Sequence, residues 1–418
     1  MSVRIEHAPR TVLETLQLER LQELLARLRR VPRGEGLPQI ESLADLEKLP
    51  FTVKDDLRAT YPLGMLAVPR DQLRRIHASS GTGGTPTVVA YTEHDLDVWS
   101  KVMARCLAMA GVKAGMVVHN AYGYGLFTGG LGFHQGAERL GALVVPVSGG
   151  VTARQATLLR DLEAQVLCCT PSYALHIAQG LREAGIEPDQ LKLEVGIFGA
   201  EPWTEGMRER LESELGLTAL NVYGLSEIVG PGVSAECPEG RDGLHVQEDH
   251  FLVEVIDPDS GERVEDGTDG ELVFTTLTKE ALPLLRYRTG DIASMTRERC
   301  VCGRTFARMS AIRGRRDDML IIRGVNLYPS QIEHVLLAQP GVAPHYQLVV
   351  ERPETLDEVT VWCEPVEAGT NPIALATTIQ QAIRERIGVT VTVHVKAPGE
   401  IPRSEGKAVR VIDRRVPT

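Results

Sequence analysis

The sequence predicts an α/β protein: a large N-terminal α/β domain with a β-rich portion, followed by a small, mobile C-terminal α+β domain. Three observations carry this. Between residues 88 and 225, amphipathic stretches alternate with short apolar runs, the pattern of helices layered on a mostly parallel sheet. After Asp249 the texture changes to strand-like runs separated by a turn rich in Gly and Asp. Beyond a charged stretch at 313–318, about 100 residues repeat the alternation on a smaller scale, enough for a domain of their own.

The elements follow in order. Leu13, Leu16, Leu21, Leu24, Leu25 and Leu28 recur at helical spacing with Glu and Arg between them, so 13–30 is an amphipathic helix. A strand is expected at 75–78. Helices at 93–110, 152–164, 173–184 and 204–214 separate strands at 116–119, 143–147, 166–169, 195–198 and 219–222. Runs 251–257 and 271–276, around the turn 259–270, read as a β-hairpin. The C-terminal unit carries a strand at 319–322, a helix at 329–338, strands at 346–351 and 358–364, a helix at 372–387 and a strand at 390–395. Residues 1–314 and 315–418 are the expected domains, with 313–318 as the linker.

Composition narrows the class. Lys+Arg 45 against Asp+Glu 56 gives a net charge of −11, which disfavours nonspecific attraction to nucleic acid or anionic membrane. Apolar runs such as 142–147 fall far short of the ~20 residues of a membrane span. Residues 1–19 mix charges into their apolar positions and contain no signal-peptide core. Seven cysteines, an odd number in a long chain, do not suggest a disulfide framework. Cys106, Cys168, Cys169 and Cys363 lie in apolar or amphipathic stretches and read as small buried hydrophobes. A cytoplasmic enzyme is the expectation.

The segment Ser79-Ser80-Gly81-Thr82-Gly83-Gly84-Thr85-Pro86-Thr87 follows the strand at 75–78. Its glycines let backbone N–H groups approach an anion, and its hydroxyls add donors without bulk. A solvated turn is the competing reading. No Gly-Lys-Ser/Thr follows at Walker spacing, which sets a P-loop kinase aside. Tyr223-Gly224-Leu225-Ser226-Glu227 ends a strand and puts a carboxylate just past it, where open α/β sheets bind ligands. Arg286-Tyr287-Arg288-Thr289-Gly290-Asp291 presents an Asp after a Gly turn, suited to accept two ribose hydroxyls. Gly314-Arg315-Arg316-Asp317-Asp318 falls at the domain junction, and Gly406-Lys407 puts one cation on a loop near the C-terminus. Each has a plain reading as turn, linker or solvated charge. Their order and spacing together are specific.

In that order the segments resemble the adenylate-forming enzymes, and within them the phenylacetate–CoA ligase branch. The resemblance rests on 76–92, 120–150, 170–174, 199–204, 221–232, 243–251, 271–291, 314–333 and 402–410, and covers nearly the whole chain from Leu43 onward. It implies that Ser79, Ser80, Gly81, Thr82, Gly84 and Thr85 hold the β- and γ-phosphates of ATP. Gly199, Ala200, Glu201 and Pro202, with Asn221, Tyr223 and Gly224, would flank the adenine. Glu227 would bind Mg²⁺, Asp291 with Arg315 the ribose, and Asp317 would be the hinge. Lys407 would touch both the substrate carboxylate and the α-phosphate. The acid is joined to AMP with loss of pyrophosphate, and the small domain then rotates to admit the thiol of CoA. Two departures stand out. The family's usual Thr-Thr-Gly-Lys-Pro is here Thr82-Gly83-Gly84-Thr85-Pro86, and the segment between Arg30 and Glu41 is shorter than usual.

Cys237 and His245, with seven residues between them, and the Cys300-Val301-Cys302-Gly303 knuckle form a second set. Thiolates plus imidazole suit tetrahedral Zn²⁺, and four protein ligands would make the site structural. Similar Cys positions in relatives support zinc; four unrelated residues, two of them exposed loop thiols, are the alternative. His250 is a competing ligand, better suited to a structural hydrogen bond.

The stretch 122–130 is aromatic-rich in a chain with only 5% aromatics. Core packing is the usual fate of such rings, and the resemblance instead implies an aryl pocket of Tyr122, Phe127, Phe133 and Ala200. A phenyl ring at Phe133, where phenylacetate-using relatives tend to be small, leads to the expectation of a shorter acid of benzoate or anthranilate type. Transfer of the aryl group to a carrier-protein thiol or an amine is the alternative to CoA. A non-catalytic nucleotide- or zinc-binding protein is the alternative of another class, disfavoured by the presence of Glu227, Asp291 and Lys407. The branch is often dimeric, so a homodimer is expected.

Overall fold

Buried β-branched and small residues set the frame of the large lobe. Leu143–Val145, Val117–Asn120, Val166–Cys169, Val195–Gly199 and the first half of Thr218–Leu225 lie side by side in parallel. Val166–Cys169 is buried at every position, as a strand covered on both faces must be. The computed structural model describes residues 4–79, 86–316, 318–322, 325–352, 357–403 and 408–415.

The sheet continues antiparallel through Gly230–Ala235, Leu244–Val246, Arg308–Met309 and Met295–Thr296, giving nine strands. Helices Glu93–Met109, Thr152–Asp161, Pro171–Glu183 and Glu205–Leu215 fall where the apolar spacing predicts them, within a few residues at each end. Helix Gly129–Leu140 was not predicted, because four glycines among its residues hide the pattern. One of them shows why it is there: a Cβ on Gly136 would lie 2.6 Å from Met103 Cγ, so the two helices meet at a distance only Gly allows.

Phe251–Ile256 and Gly270–Thr276 form the expected antiparallel hairpin, extended by Tyr287–Ala293 and Gly314–Arg315 into a four-stranded sheet. The division expected between 314 and 315 therefore falls inside a two-residue strand that pairs with the large lobe. The N-terminal helix, Arg10–Leu28, buries Leu21, Leu24, Leu25 and Leu28 against Ile40, Leu252, Leu277 and Leu285.

The small lobe has its own core. Val342–Glu351 and Glu358–Pro365 pair antiparallel, flanked in parallel by Val411–Asp413 and Thr392–Val395. Helices Pro329–Leu337 and Pro372–Ile387 bury Ile332, Leu336, Ile379 and Ile383 against Leu348, Val350 and Val361. No helix among the described residues is long and apolar enough to cross a membrane.

Candidate active site

The parallel strands end on one edge of the sheet, bringing Asn120, Thr170, Ala200 and the 226–229 loop together. Gly199 closes its strand against the neighbour: a Cβ there would lie 2.1 Å from the Val222 carbonyl oxygen. Ala200 follows with φ 71°, a left-handed conformation that costs an L-residue about 1 kcal/mol or more. Ala200 and Pro202 are exposed, while Asn221 is buried beneath. Gly224 pairs with Pro231 in the adjoining strand.

Asp291 and Arg315 meet as expected, Arg315 Nη1 donating to Asp291 Oδ1 at 2.7 Å. The Tyr223 hydroxyl donates to Asp291 Oδ2, also at 2.7 Å. Burial, and then the Asp291 carboxylate, push the Tyr223 phenol well above its ordinary range, so it remains a donor. Replacing Asp291 with Asn removes one charged acceptor and the 2.7 Å ion pair with Arg315. We expect the KM for ATP in pyrophosphate exchange to rise about 10–100-fold, and an unchanged KM would separate this carboxylate from nucleotide binding.

Glu227 is buried, and Lys54 Nζ lies 3.9 Å from its Oε1. The loop that carries it is pinned from below. Lys279 Nζ donates to the carbonyls of Glu227 and Ile228, each at 2.8 Å, and Tyr91 Oη donates to the Val229 carbonyl at 3.1 Å. Burial draws the Lys279 ammonium down to about 8. Neither Lys54, Lys279 nor Tyr91 carries a motif signal, since each comes from a distant part of the chain.

The segment expected to hold phosphates lies in sequence between Leu73–Ala78 and Val88–Thr92, strands that pair antiparallel. Ser80, Gly81, Thr82, Gly84 and Thr85 lie outside the described residues. At its base Ser79 N–H donates to the Thr87 carbonyl at 2.9 Å, and among the described residues the buried hydroxyls of Ser79 and Thr87 have no partner. Two orphaned hydroxyls beside a Gly-rich segment fit an anion that would satisfy them.

Lys407 and Asp317 also lie outside the described residues. The residue after Lys407 is described: Ala408 N–H donates to Glu201 Oε2 at 2.9 Å. Glu201 Oε1 accepts from Ser172 N–H at 2.8 Å, in the first turn of helix Pro171–Glu183, where the helix dipole favours a carboxylate. The Glu201 side chain thus bridges the strand edge to the small lobe.

Tyr122 and Phe133 stack with ring centroids 4.7 Å apart, both buried. Phe133 lies at 1% exposure, behind Tyr122 in the core of the large lobe, whereas Phe127 is 52% exposed on the loop before helix Gly129–Leu140. The large Phe133 ring therefore backs Tyr122, and its size alone does not argue for a shorter acid.

The cysteine and histidine set converges. One ligand atom from each of Cys237, His245, Cys300 and Cys302 lies within 4.8 Å of the others. Cys237 Sγ is 3.7 Å from Cys300 Sγ, and Cys302 Sγ is 3.5 Å from His245 Nε2. Tetrahedral zinc with Zn–S bonds of about 2.3 Å separates its sulfurs by about 3.8 Å, so the donor set fits the ion. Gly240 N–H donates to Cys237 Sγ at 3.3 Å, support of the kind metal thiolates receive. The amino-terminal segment closes over the knuckle: Thr305 N–H donates to the Glu6 carbonyl at 2.8 Å, and His7 Nδ1 lies 3.1 Å from the Gly303 carbonyl. His250 is elsewhere, its Nδ1 2.9 Å from Thr278 Oγ1, in the structural role expected of it.

A sheet edge presenting a nucleotide-type acidic set, with a second lobe docked across it, defines an adenylate-forming ligase. The AMP-binding enzyme family model matches residues 6–277, and the AMP-binding enzyme C-terminal domain model matches 324–415. A phenylacetate–coenzyme A ligase of Thermus thermophilus is 53% identical over 438 residues, covering 98% of each chain. A crystal structure of 2-hydroxyisobutyryl-CoA ligase in the postadenylation state with 2-HIB-AMP is 30% identical and superposes with a TM-score of 0.92, covering 98% of this chain and 91% of that one. The same ligase in its thioesterification state, with 2-HIB-AMP and CoA, is 30% identical and superposes at 0.73, covering 99% and 92%. The chain belongs to the phenylacetate–CoA ligase branch of the AMP-binding enzymes. It is an AMP-forming acid–CoA ligase.

Proposed function

We propose that the enzyme activates phenylacetate, or a close arylalkanoic acid, as the acyl-AMP and passes it to CoA, working as a cytoplasmic homodimer. The hydrogen bond from Ala408 to Glu201 carries the reading, because it ties the residue next to Lys407 to the strand edge that also bears Tyr223, the hydrogen-bond partner of Asp291. The relative named phenylacetate–coenzyme A ligase, identical at 53% of positions, supports the choice of acid over a benzoate.

The chemistry needs no general base. A carboxylic acid of pKa about 4 is already ionised at neutral pH. The obstacle is bringing that anion onto a phosphate. Lys407 would neutralise both reacting groups, and the hydroxyls at the base of the 80–85 loop would hold the departing phosphates. Buried Glu227 would hold Mg²⁺, whose charge screens the triphosphate. Asp317 would let the small lobe that follows it swing between half-reactions, with Arg315 staying on the large lobe. Cys237, His245, Cys300 and Cys302 would hold a structural Zn²⁺.

Pyrophosphate release across a panel of aryl acids, followed by detection of thioester, tests this. Phenylacetate should lead benzoate, anthranilate and phenylpropionate. Thioester formation only on a carrier-protein thiol, or an amide product, would replace CoA as acceptor. Phe133→Ala should let Tyr122 sink, raising phenylacetate and longer acids relative to benzoate. It should also cost about 3 kcal/mol of stability, read by denaturant unfolding. An unmoved preference would detach Phe133 from acid selection.

A further inference from the structure

The small lobe lands on the amino-terminal ends of two large-lobe helices, through side chains to which the sequence analysis gave no role. Arg410, just before strand Val411–Asp413, donates from Nη2 to Ser172 Oγ at 3.1 Å. Glu333, on helix Pro329–Leu337, accepts from Thr204 Oγ1 at 3.2 Å. Ser172 is in the first turn of Pro171–Glu183, and Thr204 is the residue that caps Glu205–Leu215.

Within the small lobe the two charges are locked to each other. Arg410 Nη2 lies 3.8 Å from Glu333 Oε2. The Arg410 guanidinium stands 4.3 Å over the Tyr346 ring, whose hydroxyl donates to Glu333 Oε2 at 3.0 Å. Arg410, Glu333 and Tyr346 thus form one rigid unit with two outward contacts, only three residues from Lys407 in sequence. These two contacts across the seam, which add to the bond from Ala408 N–H to Glu201, are hydrogen bonds to hydroxyls, groups that water satisfies equally well on release. Such contacts bias a position without making it irreversible.

We propose that Arg410 and Glu333 are positioning residues for the adenylation half-reaction: by gripping Ser172 and Thr204 they hold the small lobe where its Lys407 loop reaches the strand edge. The assignment rests on the ligase reading above. The arrangement of lobes here overlays better on the postadenylation state of 2-hydroxyisobutyryl-CoA ligase than on its thioesterification state, at TM-scores of 0.92 and 0.73. Contacts made in one lobe position and lost in the other shift the population between the two, and so act on one half-reaction.

The experiment measures the two half-reactions separately. Acid-dependent pyrophosphate exchange reports adenylation; thioester formation from synthetic phenylacetyl-AMP and CoA reports the second step. Arg410→Ala should lower exchange about 10–100-fold and leave the second step within about twofold, with Arg410→Lys recovering part of the loss. Ser172→Ala touches only the large lobe's hydroxyl and keeps the Ser172 N–H bond to Glu201. It should lower exchange about 3–10-fold with the same selectivity, and it guards against a misfolded Arg410 variant. Equal losses in both half-reactions, or undiminished exchange in both variants, would overturn the proposal. Absence of exchange in the unaltered enzyme would overturn the ligase reading along with it.

Discussion

Lys407→Ala is expected to lower acid-dependent pyrophosphate exchange by about 10²–10³-fold, while thioester formation from synthetic acyl-AMP and CoA changes by less than about threefold. The reason is electrostatic. The acid and the α-phosphate are both anionic when they meet, and the transition state concentrates charge between them. A fixed ammonium in a site closed from water stabilises that charge far more than it stabilises either reactant alone. The backbone beside it is anchored, since Ala408 N–H donates to Glu201. The alanine variant should therefore keep the closed lobe position and lose only the charge. In the second step the activated acyl group already exists, and the lysine has no part to play. Equal decline of both steps would assign Lys407 to stability or to general binding.

Removal of zinc is expected to have the second largest effect, on stability. Incubating the purified protein with a strong chelator, or replacing Cys300 with Ser, should lower the melting temperature by about 5–10 °C and release close to one zinc per chain by mass spectrometry or a colorimetric zinc assay. The set joins two stretches distant in sequence: Cys237, beyond strand Gly230–Ala235, with His245 in Leu244–Val246, and the 300–303 knuckle. Burial holds the His245 imidazolium down to about 4, so the ring is neutral and ready to bind a metal at neutral pH. Activity measured before unfolding should persist, because four protein ligands leave no open position for substrate. Metal-free protein with an unchanged melting temperature would reduce the cluster to four packed side chains.

The fold was legible where periodicity was strong. Strand Val166–Cys169 and helix Pro372–Ile387 have the predicted bounds, because an unbroken apolar run and a regular amphipathic face leave little choice. Helix Gly129–Leu140 was not legible, because its glycines serve a close helix contact that only tertiary structure reveals. Short strands such as Arg308–Met309 and Gly314–Arg315 are too brief to carry a period, and exist because a neighbour offers hydrogen bonds. Among site residues, Asp291 and Arg315 were found from local motifs and do meet. Lys279, Ser172, Glu333 and Arg410 lie inside segments that carry the resemblance, but they act through partners far away in sequence, so their individual roles could not be read there.

The strap of residues over the cysteine knuckle has a practical side. Glu6 and His7 contact Thr305 and Gly303, so the amino-terminal segment lies beside the cysteine knuckle. An oligohistidine extension fused there would place a string of competing imidazoles next to the cluster. Purification on nickel resin would then bring a foreign ion, and a scavenger, to the doorstep of this cluster. Metal content should be determined on protein carrying no such extension, or on protein from which it has been cleaved.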